Sequence, residues 1–163
     1  MATITNIADV KMSNGKTVRQ NLEIEINRLR DCIQDKLDDY MLREKSNNAM
    51  YIRTGKLQNS LKVDLTLVQV VNGVFQMKVE FDESGYHDSG DGIKGWDGNG
   101  DKVNTAYLFN YGYTVKKNVW FKNIKNFGWR KPGQFIEDGI AEFNKNNPLG
   151  IKVDIIKPNG YLV

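Results

Sequence analysis

The sequence predicts an α+β fold, in which a long N-terminal amphipathic helix and a late helix pack on a small, mainly antiparallel sheet. Three observations support this prediction. An apolar stripe of helical period covers much of residues 17–43, a strong hairpin pattern covers residues 62–81, and a shorter helical pattern follows Pro132. A chain of 163 residues suits one hydrophobic core, so we expect residues 1–163 to form a single domain.

The composition indicates an ordinary globular protein and excludes few function classes. Apolar residues make up 40% and charged residues 26%, and a net charge of +3 is too small to imply nucleic-acid binding. No apolar run approaches the roughly 18–20 residues that span a bilayer, and the N-terminal residues do not resemble a signal peptide. The single cysteine, Cys32, cannot form an internal disulfide, so we expect assembly in a reducing cytoplasm.

The first predicted helix begins at a capping box. Thr17 and Gln20 have the spacing at which each side chain satisfies a free backbone N–H of the other residue. The helix then carries apolar residues at intervals of 4, 3, 4, 4 and 3, and we expect it to end near Arg43. Residues 1–15 show no period and are predicted to be a polar arm or an edge strand. The apolar stripe consists of Leu22, Ile26, Leu29, Ile33, Leu37 and Tyr40.

A short segment and a hairpin follow the first helix. In the stretch Tyr51–Leu61, the Thr54-Gly55 pair breaks the helix, and Leu57 and Leu61 are predicted to share one face of a short helical turn. Strands at 62–71 and 74–81 flank Asn72-Gly73, the preferred pair for a type I′ turn. Their alternation predicts one buried face, formed by Val63, Leu65, Leu67, Val71, Phe75, Met77, Val79 and Phe81.

The last part of the chain predicts two more strands around a helix. The aromatic stretch Ala106–Tyr113 is interpreted as a third strand that ends at Gly112. Pro132 suits the start of a helix, whose apolar side would hold Phe135, Ile136, Ile140 and Phe143. Asn146-Asn147-Pro148 ends that helix. Residues 148–163 are predicted to be a C-terminal strand or tail, with Gly150–Ile156 as the strand.

Two segments of opposite charge are the candidate interaction sites. Residues 82–104 contain six glycines and are predicted to be a long flexible loop, and from Asp82 to Asp101 they hold six acids against one lysine. Residues 116–131 hold six bases, no acid and several aromatic residues. The candidate interaction residues are Asp88, Asp91, Trp96, Asp97, Asp101, Lys116, Lys117, Trp120, Lys122, Lys125, Trp129, Arg130 and Lys131.

Three interpretations of these segments remain open. They are two solvated loops without any mutual relation, or they are opposite sides of a contact between subunits of a ring. Alternatively, the basic and aromatic segment binds single-stranded nucleic acid by stacking and phosphate contact.

Catalytic and metal-binding patterns are weak. His87 is the only histidine, and the sequence offers it no positioned nucleophile, so no catalytic residue and no cofactor is predicted. Asp97, Asn99 and Asp101 match the first three ligand positions of a calcium loop, but Lys102 and Leu108 stand where glycine and glutamate are required. An Asp/Asn/Gly turn explains this stretch better than a degenerate calcium site.

The order of these motifs resembles the gene-product-10-like tail-completion and neck proteins of long-tailed bacteriophages. The resemblance rests on the first helix, the segment from Arg53-Thr54-Gly55-Lys56-Leu57 to Ser60-Leu61, the hairpin, the aromatic stretch Ala106–Tyr113, and the helix after Arg130-Lys131-Pro132. Residues 82–104 and the tail after the last helix depart from the usual pattern of this family.

The resemblance implies a structural virion protein rather than an enzyme. Such a protein would lie at the head-proximal end of a long tail or at the neck, and would be assembled in the bacterial cytoplasm. Its partners would be copies of itself in a cyclic ring (a hexamer or a twelve-fold ring), the major tail tube or terminator protein, and the head-tail connector. Phage DNA would pass through the lumen without sequence-specific contacts, and no membrane is involved.

Alternatives within and outside this class stay open. The protein could be a tail terminator proper, or belong to a headless phage-tail-like particle. A small nucleic-acid or carbohydrate binding module that uses Trp96, Trp120 and Trp129 is the alternative from another class, and a hydrolase using His87 is a third.

Overall fold

The computed structural model has the predicted α+β architecture. It describes residues 7–47, 57–71, 73–82, 105–114, 129–130 and 132–156. A short 3-10 helix (Ile7–Asp9) is followed by α1 (Val18–Asn47), β1 (Leu61–Val71), β2 (Val74–Phe81), α2 (Thr105–Tyr111), β3 (Tyr113–Thr114), β4 (Trp129–Arg130) and α3 (Phe135–Asn144). The described strands form two antiparallel pairs, β1 with β2 and β3 with β4.

The capping box at the start of α1 is confirmed. The backbone N–H of Thr17 donates to Gln20 Oε1 (3.0 Å), and the backbone N–H of Gln20 donates to Thr17 Oγ1 (3.2 Å). Of the two alternatives for residues 1–15, the described residues 7–15 do not form an edge strand, because they form the short 3-10 helix, a turn from Met12 to Gly15, and a single bridge between Lys11 and Thr17. The helix extends to Asn47, four residues beyond the predicted end.

The apolar stripe of α1 forms the core together with α3, as predicted. Leu37 is fully buried, and Phe135 and Phe143 are each 1% exposed. The two helices approach closely at Gly139, where a Cβ atom would lie 2.6 Å from Ile33 Cα. Only a residue without a side chain fits there, so Gly139 sets the distance between the helices.

Arg28 holds the C-terminal end of α3 against α1. Its guanidinium lies 4.0 Å from the centre of the Phe143 ring and donates to the Phe143 carbonyl (3.1 Å). The Glu25 carboxylate forms an ion pair with the same guanidinium, with 2.6 Å between Arg28 Nη2 and Glu25 Oε2. The last turn of α3 contains no basic residue, so Arg28 supplies from another helix the positive charge that a helix C-terminus favours.

The segment Leu57–Leu61 forms the root of the hairpin. Leu57, Ser60 and Leu61 are buried, although Leu61 is the first residue of β1 and not part of a helical turn. Ser60 Oγ donates to the Leu57 carbonyl (2.7 Å), and the Ser60 carbonyl accepts from the Asp82 N–H (2.7 Å). This serine therefore ties the two ends of the hairpin together inside the core. Residues 51–56 of the predicted stretch, with the Thr54-Gly55 helix break, lie outside the described residues.

The hairpin is regular along β2 and bulged along β1. Leu61 pairs with Phe81 and Asp64 with Lys78, but the register then shifts between Asp64 and Val68 and again between Gln69 and Val71. The extra residues all lie on β1. Of the eight residues predicted for the buried face, Leu65 (46% exposed) and Val71 (60% exposed) on the bulged strand reach the surface, and the other six are partly or fully buried.

The predicted third strand at Ala106–Tyr113 is wrong, because most of it is helix α2. Ala106, Phe109 and Asn110 are buried, which is the spacing of one helical face. The aromatic residues fit the helix too, since the rings of Tyr107 and Tyr111 stack at 6.3 Å, four residues apart. Gly112 has a φ of +73° and ends the helix, as glycine commonly does.

The predicted strand at Gly150–Ile156 is also wrong, since these residues have no regular secondary structure. Asn147 diverts the chain at this point, because its side chain accepts from the Ile151 N–H (2.9 Å) and donates to the Ile151 carbonyl (2.8 Å). Gly150 adds a φ of +62°. The exposure still alternates at first, with Ile151 and Val153 half-buried and Lys152 and Asp154 exposed.

We expect Gly139→Ala to destabilise the protein by about 1–3 kcal/mol, because the added methyl group meets backbone atoms of Ile33. Without this contact, the change would stabilise the helix, because alanine is a better helix former than glycine by about 1 kcal/mol. Ala141→Gly, at an exposed position two residues further along α3, measures that propensity term separately. Chemical denaturation of both variants tests the expectation, and a neutral or stabilising Gly139→Ala would contradict the close helix contact.

Candidate interaction surfaces

A buried asparagine connects α2 to α3. Asn110 is completely buried, its Oδ1 accepts from the Ile136 N–H (2.8 Å), and its Nδ2 donates to Glu137 Oε2 (2.7 Å). The local N-cap residue of α3, Gln134, has a φ of +54° and makes no side-chain cap. Asn110 therefore caps α3 from a distance of 26 residues, satisfying a first-turn N–H that would otherwise be buried without a partner.

The backbone makes the same junction tighter. The Gly133 N–H donates to the Phe109 carbonyl (2.8 Å), and the Gln134 N–H donates to the Asn110 carbonyl (3.0 Å). A Cβ atom on Gly133 would lie 2.8 Å from that Phe109 oxygen and 2.9 Å from the Tyr40 ring. The end of α2 and the start of α3 are thus fixed to each other and to α1.

Tyr111 lies at the outer side of this junction. Burial and the neighbouring Glu137 carboxylate raise the pKa of Tyr111 to about 12. Both causes act in the same direction, because each disfavours the phenolate.

The structure fixes the ends of both predicted interaction segments. Residues 83–104 lie between β2 and α2, and the rings of Phe81 and Tyr107 on those two elements are 6.2 Å apart. Residues 115–128 lie between β3 and β4, which pair through Thr114 and Trp129. Residues 105–114, which comprise α2, Gly112 and β3, therefore separate the points where the acidic and basic segments are attached.

Most of the predicted interaction residues themselves lie outside the described residues. Trp129 and Arg130 are in β4, and Arg130 pairs with Tyr113 in the backbone ladder. Outside the described part are Asp88, Asp91, Trp96, Asp97, Asp101, Lys116, Lys117, Trp120, Lys122, Lys125 and Lys131, together with Asn99 of the calcium-like turn and His87.

The distal half of the hairpin is an apolar surface that the sequence pattern did not identify. Twelve large apolar side chains of the described residues are exposed, and five of them lie on this half. Three more lie on the segment after α3. We call the five exposed residues of the hairpin the hairpin tip; they are Leu65, Val68, Val70, Val71 and Val74. A concentration of exposed apolar side chains is typical of a contact surface. A hairpin of two strands is also only marginally stable in water by itself.

An open, charged cleft lies between α1 and α3. It has a volume of about 620 Å³ and is lined mainly by ionisable side chains, among them Lys36, Asp39, Arg43 and Glu142. Lys145 donates to Glu142 at 2.7 Å, and this hydrogen bond lowers the pKa of Glu142. Mutual neutralisation leaves the cleft no strong preference for an anion or a cation.

Other chemical features of the described part are modest. Cys32 is half-buried on α1, and burial raises the pKa of its thiol, which disfavours the reactive thiolate. Within the described ranges, the acidic, cysteine and histidine side chains do not gather in a group of three that could hold a metal ion. Among those same residues, no helix has the length and apolarity needed to cross a membrane.

Comparisons with known proteins do not identify this chain. No protein-family model matches it, and neither a curated protein nor a solved structure does.

Asn110→Ala should destabilise the protein by about 2–3 kcal/mol, because it leaves the buried Ile136 N–H without its acceptor. Asn147→Ala is the matched control, since it removes an asparagine from a half-buried turn at the other end of α3. We expect the control to cost about 1 kcal/mol or less. Equal losses in the two variants, measured by urea unfolding, would show that Asn110 has no special role.

Tyr111 should make stability depend on alkaline pH. Its pKa is about 12 in the folded protein against 10.0 ordinarily, so the folded state keeps a proton that the unfolded state loses. Stability contributed by this proton is complete below pH 10 and falls as the pH rises toward 12.

The test compares unfolding of the wild type and Tyr111→Phe at about pH 9 and about pH 11. The wild type should lose more stability than the variant between the two conditions. Parallel losses would mean that Tyr111 titrates normally in the folded protein.

Proposed function

We propose that this protein is a structural subunit of a phage particle, which forms a ring at the head-proximal end of a long tail and joins the tail to the head connector. The observation that supports this proposal best is the role of the Leu57–Leu61 motif. Its residues Leu57, Ser60 and Leu61 are buried at the hairpin root, so the motif behind the family resemblance determines how the hairpin is mounted.

The hairpin mounting suits a subunit of an assembly. Ser60 and the Leu61–Phe81 pair hold the root in the core, while the hairpin tip carries apolar side chains away from it. An isolated monomer gains nothing from exposing five large apolar residues on one projecting element. A neighbouring subunit that covers the hairpin tip would recover this burial.

The attachment of the charged segments also suits a ring. In a cyclic assembly each subunit presents two different surfaces to its two neighbours. The acidic segment 82–104 precedes α2 and the basic segment 116–131 follows it, and Asn110 fixes α2 to α3. Opposite charges mounted on one rigid base would steer subunits into a single relative orientation.

The first experiment is negative-stain imaging and native mass measurement of the purified protein, alone and mixed with phage tail tubes. We expect closed rings, or binding confined to one end of each tube. A monomer that ignores tubes would contradict the proposal and favour a ligand-binding module. Binding to single-stranded nucleic acid that survives moderate salt would favour that module directly.

The double variant Val68→Thr with Val70→Thr tests the hairpin tip. Threonine keeps the β-branched shape that strands favour, so we expect the stability of the monomer to change by less than about 1 kcal/mol. Ring formation or tube binding should fall at least several-fold, because apolar contact area is lost.

Ile24→Thr is the control for this experiment. Ile24 is an apolar residue on α1 with 45% exposure, similar to the 46% of Val68. Unchanged assembly in the control and reduced assembly in the double variant would support a contact at the hairpin tip. Assembly that is equally strong in all three proteins would exclude the hairpin tip from the ring interface.

A further inference from the structure

Residues 151–156 have the sequence of a strand but pair with none of the strands that the structure describes. Their apolar residues alternate with Lys152 and Asp154, and the two charged side chains form a 3.1 Å ion pair with each other. Pro148 precedes the segment and Pro158 follows it, so any ladder it joins is limited to about this length. Ile155 is 39% exposed and Ile156 is 80% exposed, which leaves the segment's end uncovered.

The hairpin offers one suitable edge for such a strand. On β1, the register shifts interrupt the outer edge, and the Thr66 N–H already donates to Asp64 Oδ1 (2.9 Å). Bulges of this kind protect a sheet edge from further pairing. Strand β2 has no extra residue and no proline over Val74–Phe81, and no described strand pairs with its outer edge.

One antiparallel register aligns the segment with β2. Its ladder hydrogen bonds would come from Val153 and Ile155, because the Ile151 N–H and carbonyl already bond the Asn147 side chain. Ile151 then lies opposite Phe81, Val153 opposite Val79, and Ile155 opposite Met77, so the apolar side chains share the face that is buried near the root. In the same register Lys152 lies opposite Glu80 and Asp154 opposite Lys78. A parallel alignment of the same charged residues would instead place Lys152 opposite Lys78, and Asp154 opposite Glu80.

The charges then alternate across three strands. Lys62 pairs with Glu80 in the hairpin, and Lys152 would extend that row with a third, positive member. In the next row of this kind, Asp64 pairs with Lys78, and Asp154 would add a negative member. Each charge on β2 would therefore lie between two opposite charges, which favours this register over its neighbours.

The segment cannot reach this position on its own chain. Phe81 contacts Phe135 at the start of α3, with ring centres 6.2 Å apart, whereas Arg28 contacts Phe143 at the end of α3. From Arg28 to Tyr40, which packs on Phe135, α1 rises about 18 Å. Asn147 holds Ile151 at the far end, so Ile151 cannot also lie beside Phe81 of the same chain.

We propose that residues 151–156 of one chain add as an antiparallel strand to the outer edge of β2 in a second copy. Donor and acceptor lie at opposite ends of the α1–α3 pair, so the contact is heterologous and can repeat from copy to copy. This inference deepens the proposed ring by naming a contact within it. The strand addition itself does not depend on the proposed function; only the closure of the repeated contact into a ring does.

The register predicts a disulfide between chains. In a Cys32→Ser background, Val79→Cys combined with Val153→Cys places two thiols directly opposite each other across the new ladder. We expect mild oxidation to give covalently linked dimers and longer chains on a non-reducing gel. The control combines Val79→Cys with Asp154→Cys, whose side chain faces the other side of the strand, and it should give several-fold less linked product.

A charge reversal tests the same contact without cysteines. Lys152→Glu with Asp154→Lys keeps the net charge and the ion pair within the segment, but places like charges opposite Glu80 and Lys78. We expect self-association, measured by sedimentation, to weaken several-fold while the unfolding midpoint stays unchanged. Association at wild-type strength would overturn the proposed register.

The outcomes separate this inference from the proposed function. Linked chains that do not bind tail tubes would support strand addition and overturn the phage role. Tube-end binding or ring formation without the link between positions 79 and 153 would overturn strand addition and leave the phage role standing. A link formed within single chains would show that the segment reaches its own hairpin, and would overturn the assignment to a second copy.

Discussion

The rest of the structure depends on the buried side chain of Asn110. Gln134, the residue before α3, has a positive φ and its side chain does not cap the helix, so the first turn of α3 needs an acceptor from elsewhere. Asn110 supplies that acceptor and bonds Glu137 as well. Because α3 is fixed in this way, Phe135 can reach Tyr40 and Phe81, and the two helices and the hairpin root share one core.

Patterns of local origin were predictable from the sequence. The capping box at Thr17 and the stripe of α1 require only neighbours within a few residues, and both lie where the spacing places them. The buried side of α3 and the two hairpin strands were predictable for the same reason. The order of these elements gives the α+β class, because each buries one face against the others.

Two of the failures arise where distant contacts decide the structure. The stretch from Ala106 to Gly112 has aromatic residues at period two, but burial of Ala106, Phe109 and Asn110 against other elements selects the helix. The segment after α3 has strand propensity, but the Asn147 side chain bonds the backbone of Ile151, and the segment pairs with none of the described strands. Asn110 itself carries no signal in a single sequence, because its partners are 26 and 27 residues away. The charged segments were recognisable by composition, but composition does not show which helices and strands hold their ends.

The bulges of β1 limit how many other copies one chain can contact through strand addition. Of the two described hairpin strands, β1 has an interrupted edge and β2 a regular one, so the proposed strand addition uses one acceptor and one donor in each chain. A building block with one acceptor and one donor grows only in one dimension, as a string or a closed loop. It cannot branch into a network, so even crowded copies have no route from this contact to a cross-linked gel.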